Sequence, residues 1–384
     1  MKKGWVIKVL GDLCEILDSR RRPITKRDRI SGNYPYYGAT GVVDYVSGFI
    51  FNEPLVLVGE DGAKWASGEM TAYAIEGKSW VNNHAHVLRP RRNIVLDYWI
   101  VNYLNHLDLS KFISGLTVPK LNQGNLCKIP IPLPSLPEQQ RIVGILDEAF
   151  AGIAVAKANT EKNLQNARAI FESHLNDVFS QRGDGWVETH KPLVDLCDLI
   201  VDCEHKTALT QEEGVPSIRT PNIGKGKLML DDVNRVSEET FKVWTRRAEP
   251  MAGDLVLARE APAGNVAVIP DNTRVCLGQR TVLIRPKRDI FESSFLAFLL
   301  LEPSMQKKFL AHSRGATVQH VNMKDIRALD VGAIPSLEIQ RNLAIKINNV
   351  ANQGDRLTSL YKRKLDALEE LKKSLLHQAF SGGL

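Results

Sequence analysis

The chain of 384 residues carries one plan twice, and this duplication limits its architecture more than any other feature. Gly4-Trp5-Val6 is followed by Asp12-Leu13-Cys14-Glu15-Ile16, and Gly185-Trp186-Val187 by Asp195-Leu196-Cys197-Asp198-Leu199. Leu55-Val56-Leu57 matches Leu255-Val256-Leu257, Leu88-Arg89-Pro90 matches Ile284-Arg285-Pro286, and Gly115-x-Thr117-Val118 returns as Gly315-x-Thr317-Val318. From Pro134-Ser135-Leu136 and Pro335-Ser336-Leu337 onward, a constant offset of 201 residues pairs Gln139 with Gln340, Ser173 with Ser374, Leu175 with Leu376 and Phe179 with Phe380. So long a period is not a solenoid repeat but a duplicated two-part module.

Each module runs from a mixed segment into a long helix. Short Val/Ile/Leu runs at 54–58, 254–258 and 280–284 read as strands between Gly, Asn and Pro turns, and helical patches at 97–107 and 293–312 interrupt them. The expected fold class is α+β, with mixed domains over 1–136 and 181–335 and long helices over 137–180 and 336–384. In the first helix the apolar or small positions are Ile142, Leu146, Ala149, Ile153, Ala156, Ala167, Ile170, Phe171, Leu175 and Val178. In the second they are Leu343, Ile347, Val350, Leu357, Tyr361, Leu365, Leu368, Leu371, Leu375 and Ala379. Alternating steps of three and four residues describe a coiled-coil seam. Pro137 suits a first-turn position, with Ser135 before it as a cap. A helix of about 44 residues is roughly 65 Å long and cannot hide such a stripe alone. The seam pattern fits pairing between chains as well as within one. The duplication favours an antiparallel pair within the chain, about a pseudo-two-fold axis, with one mixed domain at each end.

Composition narrows the class. Hydrophobic residues make up 43% and charged residues 24%, which is ordinary for a globular protein. The longest apolar runs, such as 295–301, are too short to span a membrane, and Lys8 and Asp12 interrupt any signal-peptide core, so a cytoplasmic protein is expected. Cys14, Cys127, Cys197, Cys203 and Cys276 are odd in number and lack metal-site spacing, so reduced thiols are expected. The net charge of +6 leans towards a polyanionic partner. Residues 1–136 hold 17 Lys+Arg against 12 Asp+Glu, whereas residues 181–336 hold 21 of each, so basic groups in the second half must cluster if they bind DNA.

Two further strings join this order of elements in a family resemblance. These are the linker Ile129-Pro-Ile-Pro-Leu-Pro-Ser-Leu-Pro-Glu-Gln-Gln-Arg-Ile142 and the ending Leu371-Lys-Lys-Ser-Leu-Leu-His-Gln-Ala-Phe-Ser381. With Val58-Gly-Glu-Asp-Gly-Ala63, Gly115-Leu-Thr-Val-Pro-Lys-Leu121 and the alternation of domain and helix, the chain resembles the specificity subunits of type I restriction-modification enzymes along nearly its whole length. The resemblance implies two target recognition domains, each reading half of a bipartite, asymmetric site in double-stranded DNA. It implies a helical spacer that sets the gap and docks two methyltransferase subunits, which bind S-adenosylmethionine, and a restriction subunit that joins them. The chain itself would hold no cofactor. The second copy departs from the pattern at Glu338-Ile339-Gln340-Arg341-Asn342 and at Val318-Gln319-His320.

The residues offer little to an enzyme. Asn33-Tyr34-Pro35-Tyr36 is a poor match to a methyltransferase loop and lacks a glycine-rich turn, and Gly224-Lys-Gly226 lacks the rest of a dinucleotide fingerprint. Glu60, Asp61 and Glu260 stand in no nuclease arrangement, and no paired Cys/His spacing offers a metal site. A stand-alone methyltransferase or nuclease, or a coiled-coil scaffold, accounts for less of the chain than a DNA reader. Reading DNA needs Arg or Lys for guanine edges and phosphates, and Asn or Gln for adenine edges, on loops. In the first domain the expected DNA-binding residues are Arg20, Arg21, Arg22, Tyr36, Tyr37, Thr40, Lys64, Asn82, Asn83, His84, Lys120 and Asn122. In the second they are His205, Lys206, Arg219, Thr220, Asn222, Arg259, Gln279, Arg280, Arg314, Thr317 and His320. His84 and His205 suit hydrogen bonds to backbone or phosphate better than metal, and Tyr36 and Tyr37 fit a core as well as a stack on DNA.

Overall fold

The computed structural model describes residues 4–115, 117–204, 206–310 and 320–384, so His205, Arg314 and Thr317 lie outside the described residues. The chain forms two compact units, one of Met1–Glu161 with Lys362–Leu384, the other of Lys162–Tyr361.

The first unit opens with β1 (Val6–Val9), α1 (Leu10–Leu13), β2 (Cys14–Ile16), β3 (Ser31–Gly38), β4 (Gly41–Val46) and β5 (Phe51–Asn52). It continues through β6 (Leu55–Gly59), β7 (Ala72–Ile75), β8 (Lys78–Val81), β9 (Ala85–Pro90), α2 (Asp97–His106), α3 (Gln123–Cys127), β10 (Pro130–Leu133) and the part of α4 (Leu136–Ser180) up to Glu161. The central sheet has the antiparallel order β2-β9-β6-β7, and a second, mixed sheet has the order β4-β3-β8-β5 with β3 parallel to β8. β6 reads as an unbroken apolar run because both its faces are covered. Val56 and Val58 pack with Trp99, Ile100 and Leu104 of α2, while Leu55 and Leu57 pack with Phe51, Val81 and Val87. β1 pairs with β10 and so joins the two ends of the domain.

The second unit follows a related order, beginning with β11 (Val187–Glu188), β12 (Cys197–Asp202), β13 (Val215–Ile218), β14 (Gly226–Lys227), β15 (Arg235–Val236), the added α5 (Glu238–Trp244) and β16 (Leu255–Ala258). Then come β17 (Val266–Val268), β18 (Cys276–Leu277), β19 (Thr281–Pro286), α6 (Ser293–Leu301), α7 (Pro303–Leu310), α8 (Met323–Ala328), β20 (Ala333–Ile334) and α9 (Leu337–Ser381). Its sheets run β12-β19-β16-β17-β14 and β15-β13-β18, with β13 parallel to β18, and β11 pairs with β20. The ladders correct one sequence match. Val56 faces Leu88 in the first unit, and Leu255 faces Ile284 in the second, so Val56 rather than Leu55 is the counterpart of Leu255. The slip matters because a shift of one residue exchanges the faces of a strand. Leu255 and Leu257 lie in the core with Phe295 and Phe298 of α6, just as Val56 and Val58 lie with α2.

Both helices start in the same way. Gln139 is fully buried; its Nε2 donates to the Ile94 and Pro134 carbonyls (both 3.0 Å) and its Oε1 accepts from Leu96 N–H (2.9 Å). Gln340 is fully buried too; its Nε2 donates to the Ile290 and Pro335 carbonyls (both 2.9 Å) and its Oε1 accepts from Glu292 N–H (3.0 Å). The departure at 338–342 therefore leaves the helix start intact.

Within the first unit, Lys157 pairs with Glu369 (3.1 Å) and Lys372 lies over the Phe150 ring, so these stretches of α4 and α9 run in opposite directions. Ile142 and Leu146 are buried there with Leu376 and Ala379, whereas Ala149, Ile153 and Leu368 are half-buried. In the second unit Ile347 is buried, Leu343, Val350, Leu357 and Tyr361 are half-buried, and Gly354 sits against the Ala167 carbonyl. Two seam positions are corrected, since Ile170 and Leu371 are exposed. Thr160, whose hydroxyl donates to the Ala156 carbonyl (2.6 Å), and Gly354 are the buried polar or small residues that an apolar count passes over. Four of the five cysteines are buried, and burial pushes the Cys14, Cys197 and Cys276 thiols up to about 12.

Candidate nucleic-acid interface

In each unit, loops distant in sequence meet at one end of the sheets through the same backbone bonds. In the first unit Asn82 N–H donates to the Tyr37 carbonyl (3.0 Å), Glu60 N–H to His84 (2.9 Å) and Leu121 N–H to Glu60 (2.8 Å). In the second, Gly278 N–H donates to Ile218 (2.8 Å), Arg259 N–H to Arg280 (2.8 Å) and Val321 N–H to Arg259 (3.0 Å). Isolated bridges join Asp61 with Lys120 and Glu260 with His320. The frames correspond position by position, with Glu60 matching Arg259, Asp61 matching Glu260, His84 matching Arg280 and Lys120 matching His320.

Different side chains fill this shared frame. In the first unit Glu60 is bonded by Arg21 and Lys120 (2.7 Å), and Asp61 is bonded by His84. Burial alone would raise the Glu60 carboxyl, but the bonds from Lys120 and Arg21 outweigh it and hold the group below its ordinary value. His86 is buried beneath; its Nε2–H donates to the Leu121 carbonyl (2.6 Å), leaving Nδ1 and Asp18 (2.5 Å) to share one proton. In the second unit Arg259 Nη2, which can only donate, faces His320 Nε2 (2.7 Å), so His320 donates from Nδ1 to Glu260 (2.6 Å). Arg280 also bonds Glu260 (2.9 Å) from a left-handed backbone with φ 65°.

Among the described residues, Asp18, Glu60 and His86 form the one group of carboxylates and imidazole close enough to hold a metal. Its chemistry argues against one. Arg21 and Lys120 already neutralise the carboxylates, Arg21 lying 3.3 Å from Asp18. The cluster is a partly buried charge network that fastens the 120–122 segment to the sheet. A linkage follows, because a depressed carboxyl stabilises the fold above its unfolded value and loses that contribution as pH falls. Glu60→Gln should therefore flatten the acid limb of the first unit's stability below about pH 4.5, the ordinary carboxyl value. Thermal melts from pH 7 to pH 3 check this; an unchanged acid limb in the variant counts against the linkage.

The frame separates the expected DNA-binding residues into builders and exposed groups. Tyr36 is only 1% exposed, with its hydroxyl bonded to Ile24 N–H (2.9 Å), and so cannot stack on DNA. Tyr37 packs at 6.0 Å from Tyr73. Arg21 is a half-buried ion-pair partner, Asn82 accepts from His84 N–H (2.8 Å), and Asn122 caps α3 through Asn125 N–H (2.9 Å). Thr220 is buried, and Asn222 accepts from Arg219 N–H (3.0 Å) to shape its turn. Exposed are Arg20, which lies over Phe51, together with Arg22, Thr40, Lys64, Asn83, Lys206, Arg219, and partly Lys120, His84 and Arg280. The loops after β3 and β13, which carry Thr40 and Arg219, take equivalent places, since Tyr37 pairs with Val81 as Ile218 does with Leu277. Asp18 and His86 were not read as site residues, because neither belongs to a motif and they lie 68 residues apart.

A family model for the type I restriction modification DNA specificity domain matches residues 2–166 and again residues 191–370. The chain belongs to that family. Its function is DNA sequence recognition in a type I restriction-modification system. The chain is similar to a putative type I restriction enzyme specificity subunit of Haemophilus influenzae, 24% identical over 95% of this chain and 92% of the relative. It is also similar to the putative MjaX specificity subunit of Methanocaldococcus jannaschii, 21% identical over 99% of this chain and 93% of that one. Two solved structures share the fold. One comes from work on complex assembly and conformational transition of the type I R-M system (TM-score 0.73, 18% identity, covering 100% of this chain and 99% of that one). The other is the HsdS subunit from Thermoanaerobacter tengcongensis (TM-score 0.57, 18% identity, covering 100% and 98%). Among the described residues of this specificity protein, no helix is long and apolar enough to cross a membrane.

Proposed function

We propose that each unit of this specificity protein reads one half of a bipartite, asymmetric target in double-stranded DNA. The supporting observation is the loop frame built twice with unlike side chains, Glu60, Asp61, His84 and Lys120 in one unit and Arg259, Glu260, Arg280 and His320 in the other. A shared frame keeps the docking geometry, while unlike side chains choose unlike bases. In this reading α4 and α9 pair as an antiparallel coiled coil about a pseudo-two-fold axis, set the gap and dock two methyltransferase subunits. Those subunits bring S-adenosylmethionine and flip the target adenine, and a restriction subunit joins the assembly in the cytoplasm. This chain does no chemistry of its own.

The test is selection from a random double-stranded DNA library by the full chain with its methyltransferase partners. Two unlike half-sites at a constant gap are expected, with affinity falling steeply as salt rises. Arg219→Ala should weaken discrimination in one half-site by about 1–3 kcal/mol and leave the other half untouched. Equal losses in both halves would count against separate readers.

A further inference from the structure

We infer that Asn83 and Gln279 are the matched base-reading residues of the two units, each recognising the edge of an adenine. This rests on the two-reader proposal above. Asn83 is the middle residue of the turn from β8 to β9, and Gln279 of the turn from β18 to β19. The bonds on either side fix their equivalence: residue 82 or 278 donates to the end of the parallel strand, and the carbonyl of residue 84 or 280 accepts from the loop after β6 or β16.

The neighbours in each turn build the frame. Asn82 is buried and ties the His84 N–H, while Gly278 is buried with 3.0 Å from an added Cβ to the Ile218 carbonyl. His84 is held by Asp61 and Arg280 by Glu260. Arg280 keeps a left-handed backbone that glycine would adopt without strain, and its ion pair accounts for a long side chain there. Each middle residue is thus carried on a turn pinned from both sides, which is what aiming a side chain at a base requires.

Both middle residues are amides. An amide donates and accepts together, and so complements the N7 acceptor and N6 donor of adenine in the major groove. One partly exposed cation flanks each turn, Lys120 (43%) bonded to Glu60 in the first unit and Arg280 (60%) bonded to Glu260 in the second, where a phosphate can compete for it. Gln is one methylene longer than Asn, so the two units would reach the same kind of edge at different depths.

The experiment repeats the library selection with Asn83→Ala, Gln279→Ala and Asn83→Asp in the full chain. Each alanine variant should lose about 10- to 100-fold preference at one adenine of one half-site, a different half for each. Asn83→Asp, which cannot donate to N7, should lose the same adenine while keeping the other half. Melting curves matching the parent's would show that the frame survives. Loss of a guanine or pyrimidine preference would overturn the adenine assignment, and unchanged selection by both alanine variants would overturn the inference as a whole. A parent protein that selects no sequence would instead defeat the proposed function itself.

Discussion

Gln340→Ala is expected to cost the second unit roughly 3 kcal/mol or more. The side chain is fully buried and satisfies three backbone groups, the Ile290 and Pro335 carbonyls and the Glu292 N–H. Alanine leaves all three unpaired away from water, at about 1–3 kcal/mol each, less whatever relaxation recovers. Gln139→Ala should do the same to the first unit, because its bonds to Ile94, Leu96 and Pro134 are the same three in kind. For a unit of this size the melting temperature should fall by about 10 °C. Gln340→Glu is a sharper probe, since a carboxylate of the same shape turns two donated bonds into repulsion against carbonyls. Calorimetry and hydrogen exchange at the helix starts check both. A loss under about 1 kcal/mol in either variant would show that the glutamine is not what holds the helix to its domain.

Seven residues inserted after Thr160 and seven after Tyr361 should lengthen the gap between half-sites by roughly three base pairs. The motivation is two helices of equal length, Leu136–Ser180 and Leu337–Ser381, each following a mixed segment of strands and short helices. A heptad returns the apolar stripe nearly to its starting direction, so the cores around Ile142 and Phe171 should survive. Both insertions are needed, because one alone shifts the partners out of register. Seven helical residues add about 10 Å, and DNA rises about 3.4 Å per base pair. Three base pairs also turn one half-site by roughly 100° around the duplex, so affinity should fall even as the preferred spacing grows. The readout is the gap chosen from a library of fixed half-sites at every spacing. Selection of the original gap by a folded variant would sink the proposal that these helices are the ruler.

The duplicated plan and the two long helices were legible in the linear order of residues, and for one reason. A repeat and a helical stripe are patterns between positions close in sequence or at a constant offset, so Gln139 and Gln340 could be matched without knowing what either touches. The short strands were less legible, since β14, β15 and β18 have two residues each, too few to show alternation. The offset within the central strands slipped by one residue because Leu55-Val56-Leu57 and Leu255-Val256-Leu257 look alike, and only pairing with β9 and β19 reveals which face each side chain takes. The division of the site residues was beyond reach of the sequence altogether. Arg21 looks like any other member of a basic triplet until Glu60, 39 residues away, takes its charge. His320 looks like any surface imidazole until Arg259 and Glu260, about 60 residues earlier, settle which nitrogen carries hydrogen. Asn82 and Asn83 are adjacent and identical in type, yet one is buried in the frame and the other faces out. Burial and charge pairing are decided by contacts between distant segments, and those contacts exist only in the folded chain.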